Sequence, residues 1–179
     1  MVYEIKKFEN LEGIQFLSEN LIKNHLTLYE GYVNNLNKII LLLDNLKKEN
    51  KMNTPEFSEL KRRFAWEFNG AKLHELFFEE ISKDKTKISE NSEFFKMIKE
   101  NFGSFEEWKR DFYSVATIRG IGWVITYLDP LKRRLFNCWI NEHDVGHLSL
   151  GIPIFVFDVF EHAYINDFGI KRQDYINTL

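Results

Sequence analysis

Cysteine occurs once in the 179 residues, at Cys138, and histidine only five times. A single thiol excludes an internal disulfide framework, a paired-cysteine zinc site and a cysteine-held iron–sulfur cluster. Any bound metal must therefore use nitrogen and oxygen. Positive charge gives no surplus either: 24 Lys and Arg stand against 27 Asp and Glu, a net −3. The basic footprint of a nucleic-acid binder is missing. Apolar runs are short. Those around 39–43 and 152–157 fall far below the roughly 20 residues that span a bilayer, so no membrane partner is expected. The opening stretch MVYEIKKFENLEG has no apolar core after its charges and no small-residue cleavage site, and a cytoplasmic protein is expected. Proline and glycine are sparse early on. No proline precedes Pro55, and only Gly13, Gly31 and Gly70 precede residue 100, whereas six glycines and two prolines punctuate Gly103–Gly169. That contrast predicts a helical first half and a mixed second half.

The apolar spacing supports this division. Leu17, Leu21, Ile22, His25, Leu28, Tyr29, Tyr32, Val33, Leu36, Ile39, Ile40 and Leu43 recur at steps of three and four, one face of a helix. The polar stretch Lys47–Pro55 reads as a turn, with Thr54 as cap and Pro55 at the first helical position. Phe64, Phe68, Ala71, Leu73, His74, Phe78 and Ile81 define a second helix, and two long helices with a short connection make an antiparallel hairpin. Glu93–Asn101 and Ser104–Ile118 read as helices, with Ser104 and Glu107 spaced as a capping box. Trp123–Leu128 and Arg133–Ile140 read as strands joined through Asp129–Lys132, and Ile152–Phe157 as a short buried strand. Asp158–Phe168 and Lys171–Leu179 read as helix or turn. The fold class is α+β: an N-terminal antiparallel helical hairpin, residues 1–84, packed on a C-terminal lobe, residues 85–179, with a three-stranded antiparallel sheet and helices.

Two histidines lie on apolar helical faces, His25 between Leu21/Ile22 and Leu28/Tyr29, and His74 between Ala71 and Phe78. Either alone reads as readily as a core histidine satisfied by one hydrogen bond. Packing the hairpin brings both into one interior, where unpartnered imidazoles cost a few kcal/mol and a shared cation would satisfy them. Asp158 closes an apolar strand run and His162 follows at i+4, a spacing that lets both point at one centre. By itself that D-x-x-x-H spacing is common, and a capping aspartate with a surface histidine accounts for it equally.

DVFEHAY (Asp158–Tyr164) resembles the DxWEHAYY signature of iron/manganese superoxide dismutases. The likeness extends to NHLTLYEGYVNNLNKI (Asn24–Ile39), to FNGAKLHELFF (Phe68–Phe78), to the Phe102–Leu128 block ending in RGIGWVITYL, and to KRQDYI (Lys171–Ile176). The resemblance implies an enzyme that converts superoxide to oxygen and hydrogen peroxide with one iron or manganese ion per chain. It makes His25, His74, Asp158 and His162 the metal ligands, with water or hydroxide as a fifth. Three imidazoles and a carboxylate suit iron or manganese better than the thiolate-rich sites of zinc or copper(I). It also implies Arg172 as a charge steering superoxide to the pocket; read from the residues alone, Arg172 fits a solvated arginine at a helix end as well.

The chain departs from the family around those ligands. The glutamine that iron-type relatives place four residues before the second ligand is Gly70 here, and His143, in the loop after the second strand, is the candidate to contact the bound solvent in its stead. Tyr32 takes the pocket-mouth position, seven residues after His25 and one closer than usual, with Tyr29 as competitor. Seven residues are almost two turns, so Tyr32 is expected to stack above His25. Trp123 keeps a pocket aromatic, while Ile125 and Phe160 replace tryptophans. Glu161 matches the glutamate that reaches the opposite subunit in relatives, so a homodimer is expected, with Tyr29 and Ile165 as a repacked contact pair. His147 receives no role. The alternatives are a relative that kept the fold or the metal without dismutation.

Overall fold

The structure is a computed structural model that describes residues 2–82 and 88–178. The domain boundary expected at 84/85 lies outside the described residues.

Ser18 starts the first helix, α1 (Glu19–Lys48), its hydroxyl accepting from Leu21 N. Leu17 therefore precedes the helix. Its buried face is Leu21, His25, Tyr29, Val33, Leu36, Ile39, Leu43 and Leu46, at the expected steps of three and four. Thr54 caps α2 (Pro55–Glu80), accepting from Phe57 N with Pro55 at the first helical position. The two helices pack along the hairpin. Helices α3 (Glu93–Phe102) and α4 (Phe105–Ala116) follow, begun by Ser92 and Ser104. The Ser104 hydroxyl accepts from Glu107 N, but the Glu107 carboxylate turns to Arg110, not back to Ser104.

Strands β1 (Gly122–Asp129), β2 (Arg134–Asn141) and β3 (Ile152–Asp158) form one antiparallel sheet in the order β2-β1-β3. Arg133 belongs to the turn, in a left-handed conformation. Asp129 Oδ1 organises that turn by accepting from the amides of Leu131 and Lys132. β3 is an edge strand and not the buried one its apolar run predicts. Its first half is partly exposed, and burial begins at Val156. Pro153, which has no amide to donate, fits that edge, and the Glu80 carboxylate accepts from the Val156 amide at 2.8 Å.

The register brings Trp123 of β1 opposite Asp158 of β3. Beyond it, Gly122 O accepts from Val159 N at 3.0 Å, extending the pairing past the strand end. A side chain at Gly122 would place its Cβ 2.0 Å from Ile140 O, at a φ of +143°, so only glycine serves there. The Asp158–Phe168 stretch is not a helical turn at its start: Phe160 is extended and Glu161–Ala163 form a 3₁₀ turn before the short α5 (Ile165–Phe168). Asp167 of that helix bonds both the amide and hydroxyl of Ser18, tying it to the start of α1. From α6 (Arg172–Ile176), the Tyr175 hydroxyl donates to Asp158 O at 2.9 Å.

Candidate metal centre

His25 from α1, His74 from α2, Asp158 from the end of β3 and His162 from the 3₁₀ turn each turn one donor atom inward. The four atoms lie within 4.8 Å of one another. His25 Nε2 and His162 Nε2 sit 3.1 and 3.0 Å from Asp158 Oδ2, and His74 Nε2 lies 3.6 Å from the same oxygen. Asp158 Oδ1 accepts from Phe160 N at 2.9 Å, fixing the carboxylate plane. His25, His74 and Asp158 are buried, whereas the His162 side chain is 23% exposed.

Proton positions follow from the partners. Gly70 O can only accept, so the 2.6 Å contact with His74 Nδ1 puts the proton there. His74 Nε2 is then a bare lone pair, buried, without a partner among the described residues, and aimed at a carboxylate. Two such groups repel in a dry interior, and a cation between them reverses the sign. Burial depresses the basicity of His25 and of His74, which His25 lowers further. Neutral imidazole is the ligating form. Burial would raise the Asp158 carboxyl, yet His162 and His25 hold it well below the usual carboxylate range. The set can therefore hold one metal ion, and its donor chemistry fits iron or manganese.

A ring of aromatic residues encloses the four. The Tyr32 ring stacks on His74, centroids 5.2 Å apart, and not above His25 as the spacing predicts. It can do so because Gly70 has no side chain: a Cβ there would lie 2.6 Å from Tyr32 Cδ1. His143 is fully buried beside it. The Trp123 indole can only donate, so its 3.0 Å contact with His143 Nδ1 makes that atom the acceptor. His143 Nε2 then carries the proton and donates to Tyr32 Oη at 2.7 Å. The Tyr32 hydroxyl proton is left free for another acceptor. Desolvation lowers the His143 pKa to about 4, so the ring is neutral near pH 7. Phe160 stacks on both His143 and His162.

Tyr29 has no place in this ring. Its hydroxyl faces Glu75 and accepts from Lys6 N, deep under Phe8 and Phe78. The same burial removes it from the outer face, so the expected Tyr29–Ile165 contact pair is not formed by exposed residues: Ile165 is 46% exposed and Tyr29 is sealed. Glu161 is exposed next to His162. Arg172 donates to Gly120 O and Ala116 O and lies over Trp139. The arginine whose charge acts on Tyr32 and His143 is Arg63, stacked on Trp66, which in turn sets its ring edge-to-face with His143.

Trp66 joins the site unannounced by any motif; its one signal is spacing, since Trp66, Gly70 and His74 fall four apart and share one helix face. His147 also gains a place. Its ring contacts Tyr127 Oη at 2.6 Å, His143 O at 2.8 Å and Asn69 Nδ2 at 3.3 Å. Nothing in the spacing of His147 announces those partners, because they come from β1, α2 and its own loop.

Residues 90–179 match the family described as iron/manganese superoxide dismutases, C-terminal domain. The chain is 32% identical over 187 residues to a superoxide dismutase [Fe] of Cupriavidus metallidurans, covering 99% of this chain and 90% of that protein. It is 34% identical over 178 residues to a superoxide dismutase [Fe] of Aquifex aeolicus, covering 96% and 81%. It is 30% identical over 163 residues to a superoxide dismutase [Mn] of Haloferax volcanii, covering 90% and 80%.

Proposed function

The chain belongs to the iron/manganese superoxide dismutases, and from that premise we propose that His25, His74, Asp158 and His162 are the ligands of its metal. It is an enzyme that converts superoxide to oxygen and hydrogen peroxide with one bound iron or manganese ion. The observation carrying the ligand assignment is the bare, buried Nε2 of His74 facing the Asp158 carboxylate.

A metal ion held by His25, His74, Asp158 and His162 would supply the electron exchange between one superoxide and the next. The residues around it manage charge, access and protons. Asp158 offsets part of the cation's charge, and the three neutral rings leave the remainder to attract an anion. Trp123, Phe160 and Tyr32 exclude bulk water, which strengthens every electrostatic interaction inside. Reducing superoxide to hydrogen peroxide consumes protons. Because Tyr32 Oη already accepts from His143 Nε2, its own proton is the one positioned for transfer, and the His143 bond stabilises the oxygen left behind. Arg172 and Arg63 share the steering of superoxide toward the pocket, the first held by carbonyls and the second placed over Trp66.

Residence in the cytoplasm and assembly as a homodimer belong to the same proposal. The free thiol of Cys138 fits a reducing compartment. The exposed Glu161, adjoining His162, supports a second copy contributing across the centre. Sedimentation at micromolar concentration is expected to give a dimer, and a monomer contradicts it. No helix among the described residues is long and apolar enough to cross a membrane.

The test of function is metal analysis with a superoxide-consumption assay after reconstitution with iron and with manganese separately. One ion per chain and catalysis with at least one metal are expected. Inactivity with both overturns the reading.

A further inference from the structure

We propose that His147 is a positioning residue that sets the pose of His143, and that Tyr127 holds His147 in turn. His143 comes from a loop, not from a helix or a strand. That loop leaves β2 with Glu142 in a left-handed conformation and returns to β3 with Leu150 in another. Its short bridge, Asn141 paired with Val145, fixes the tip next to His143. Side-chain direction at the end of such a loop is set by what grips the backbone near it. At His143 that grip is its own carbonyl, 2.8 Å from His147 Nε2.

The partners determine the His147 tautomer. A carbonyl only accepts, so Nε2 carries the proton and donates to His143 O. With Nε2 as the donor, Nδ1 faces the Tyr127 hydroxyl at 2.6 Å, which can donate to it. Tyr127 is on the central strand and buried. Gly151 allows the returning loop to approach it, since a Cβ at that position would come within 2.8 Å of the Tyr127 ring. Asn69, the α2 residue next to Gly70, packs beside the ring with its Nδ2 3.3 Å from His147 Nε2; both atoms are donors once Nε2 serves the carbonyl, so this is a packing contact and not a hydrogen bond. Gly70 O is the acceptor that orients His74. His147 thereby ties β1 to the loop at the His143 carbonyl, with α2 packed alongside through Asn69. A ring anchored to a rigid strand can hold a loop side chain to the tolerance that a 2.7 Å hydrogen bond to Tyr32 requires.

This inference rests on the reading of His143 as the partner of Tyr32 in proton delivery, and its test separates the two. The metal-loaded parent, His147→Ala, His147→Gln and His143→Ala are compared for metal content, melting temperature, kcat and KM per bound metal, and crystal structure. In His147→Ala the His143–Tyr32 contact is expected to open beyond hydrogen-bond distance. kcat is expected to fall about tenfold, with KM and metal content kept. His147→Gln retains an N–H donor for the carbonyl and is expected to restore the contact and most of kcat. A merely structural role would lower the melting temperature or the metal content while leaving kcat per metal unchanged. Should His147→Ala not fold, Tyr127→Phe carries the test: it leaves the carbonyl bond but frees the ring, with a loss of about threefold in kcat expected. The proposal is overturned if His147→Ala, or Tyr127→Phe in its stead, keeps the contact and the parent kcat. It is overturned equally if His147→Gln is as impaired as His147→Ala. Full activity in His143→Ala overturns the reading of His143 alone, while the contact distance in His147→Ala still decides the positioning.

Discussion

The four converging donors and the ring around them are held by different means. The donors come from α1, α2, the last residue of β3 and the turn that Tyr175 and Gly122 anchor behind it. Each sits on backbone held by hydrogen bonds, to which the Tyr175 hydroxyl adds one behind Asp158. The ring depends on side chains fitted to one another: Tyr32 on the space left by Gly70, and His143 on Trp123, Tyr32 and the His147 grip. The donor cluster is therefore robust in position and intolerant of chemical change. Changes in the ring leave the ion in place and act on catalysis, through small displacements or the loss of a single hydroxyl, and substitutions separate the two behaviours.

The largest effect is expected from the donors. His74→Ala or Asp158→Ala should abolish superoxide consumption and metal retention together, as measured by assay and elemental analysis. Either variant with full activity breaks the comparison at its root. Next comes Gly70→Ala. Alanine in a helix gains about 1 kcal/mol over glycine, and overpacking against Tyr32 costs about 1–3 kcal/mol. Thermal unfolding should show a modest net loss, while catalysis falls far more because the Tyr32 ring is displaced from His74. Tyr32→Phe keeps the ring and the packing and removes only the hydroxyl. It should keep its metal and lose about tenfold or more in kcat, measured by pulse radiolysis.

The two long helices were legible because both ends carry chemistry as well as spacing: Ser18 and Thr54-Pro55 mark starts, and the polar stretch between them marks the turn. The donors were legible for the same reason, since His25 and His74 lie on faces whose burial the spacing dictates. Choosing between Tyr29 and Tyr32 was beyond spacing alone. Both share the His25 face, and the choice is made by α2, where Gly70 admits one ring and Glu75 claims the other. β3 read as buried because its run is apolar. Its edge position depends on strand order, which no local pattern contains, and the Glu80 carboxylate that closes that edge lies 76 residues away. His147 was silent for a similar reason: its three partners meet only after the sheet forms.

That distant edge gives the smallest effect and a control away from both regions. Burial pushes the Glu80 carboxyl up to about 8, against a lowering by its bond to Val156 N. A carboxyl with a raised folded pKa binds its proton more tightly in the folded state. Its contribution to stability is full in acid and declines as pH rises from the unfolded value of about 4.5 toward 8. Glu80→Gln keeps an acceptor for Val156 and cannot ionise. Thermal melts should show the variant more stable than the parent at pH 8 and alike near pH 4, with superoxide consumption per metal unchanged. Equal pH dependence in both would remove Glu80 from the account.

One redox ion shared by three imidazoles and one carboxylate of this chain is a directly readable arrangement. Pulsed electron–nuclear spectroscopy of the manganese-loaded protein, with its histidines labelled with nitrogen-15, reads the directly bound rings. Coupling to three imidazole nitrogens, those of His25, His74 and His162, is expected. Coupling to fewer, or to none, would contradict it.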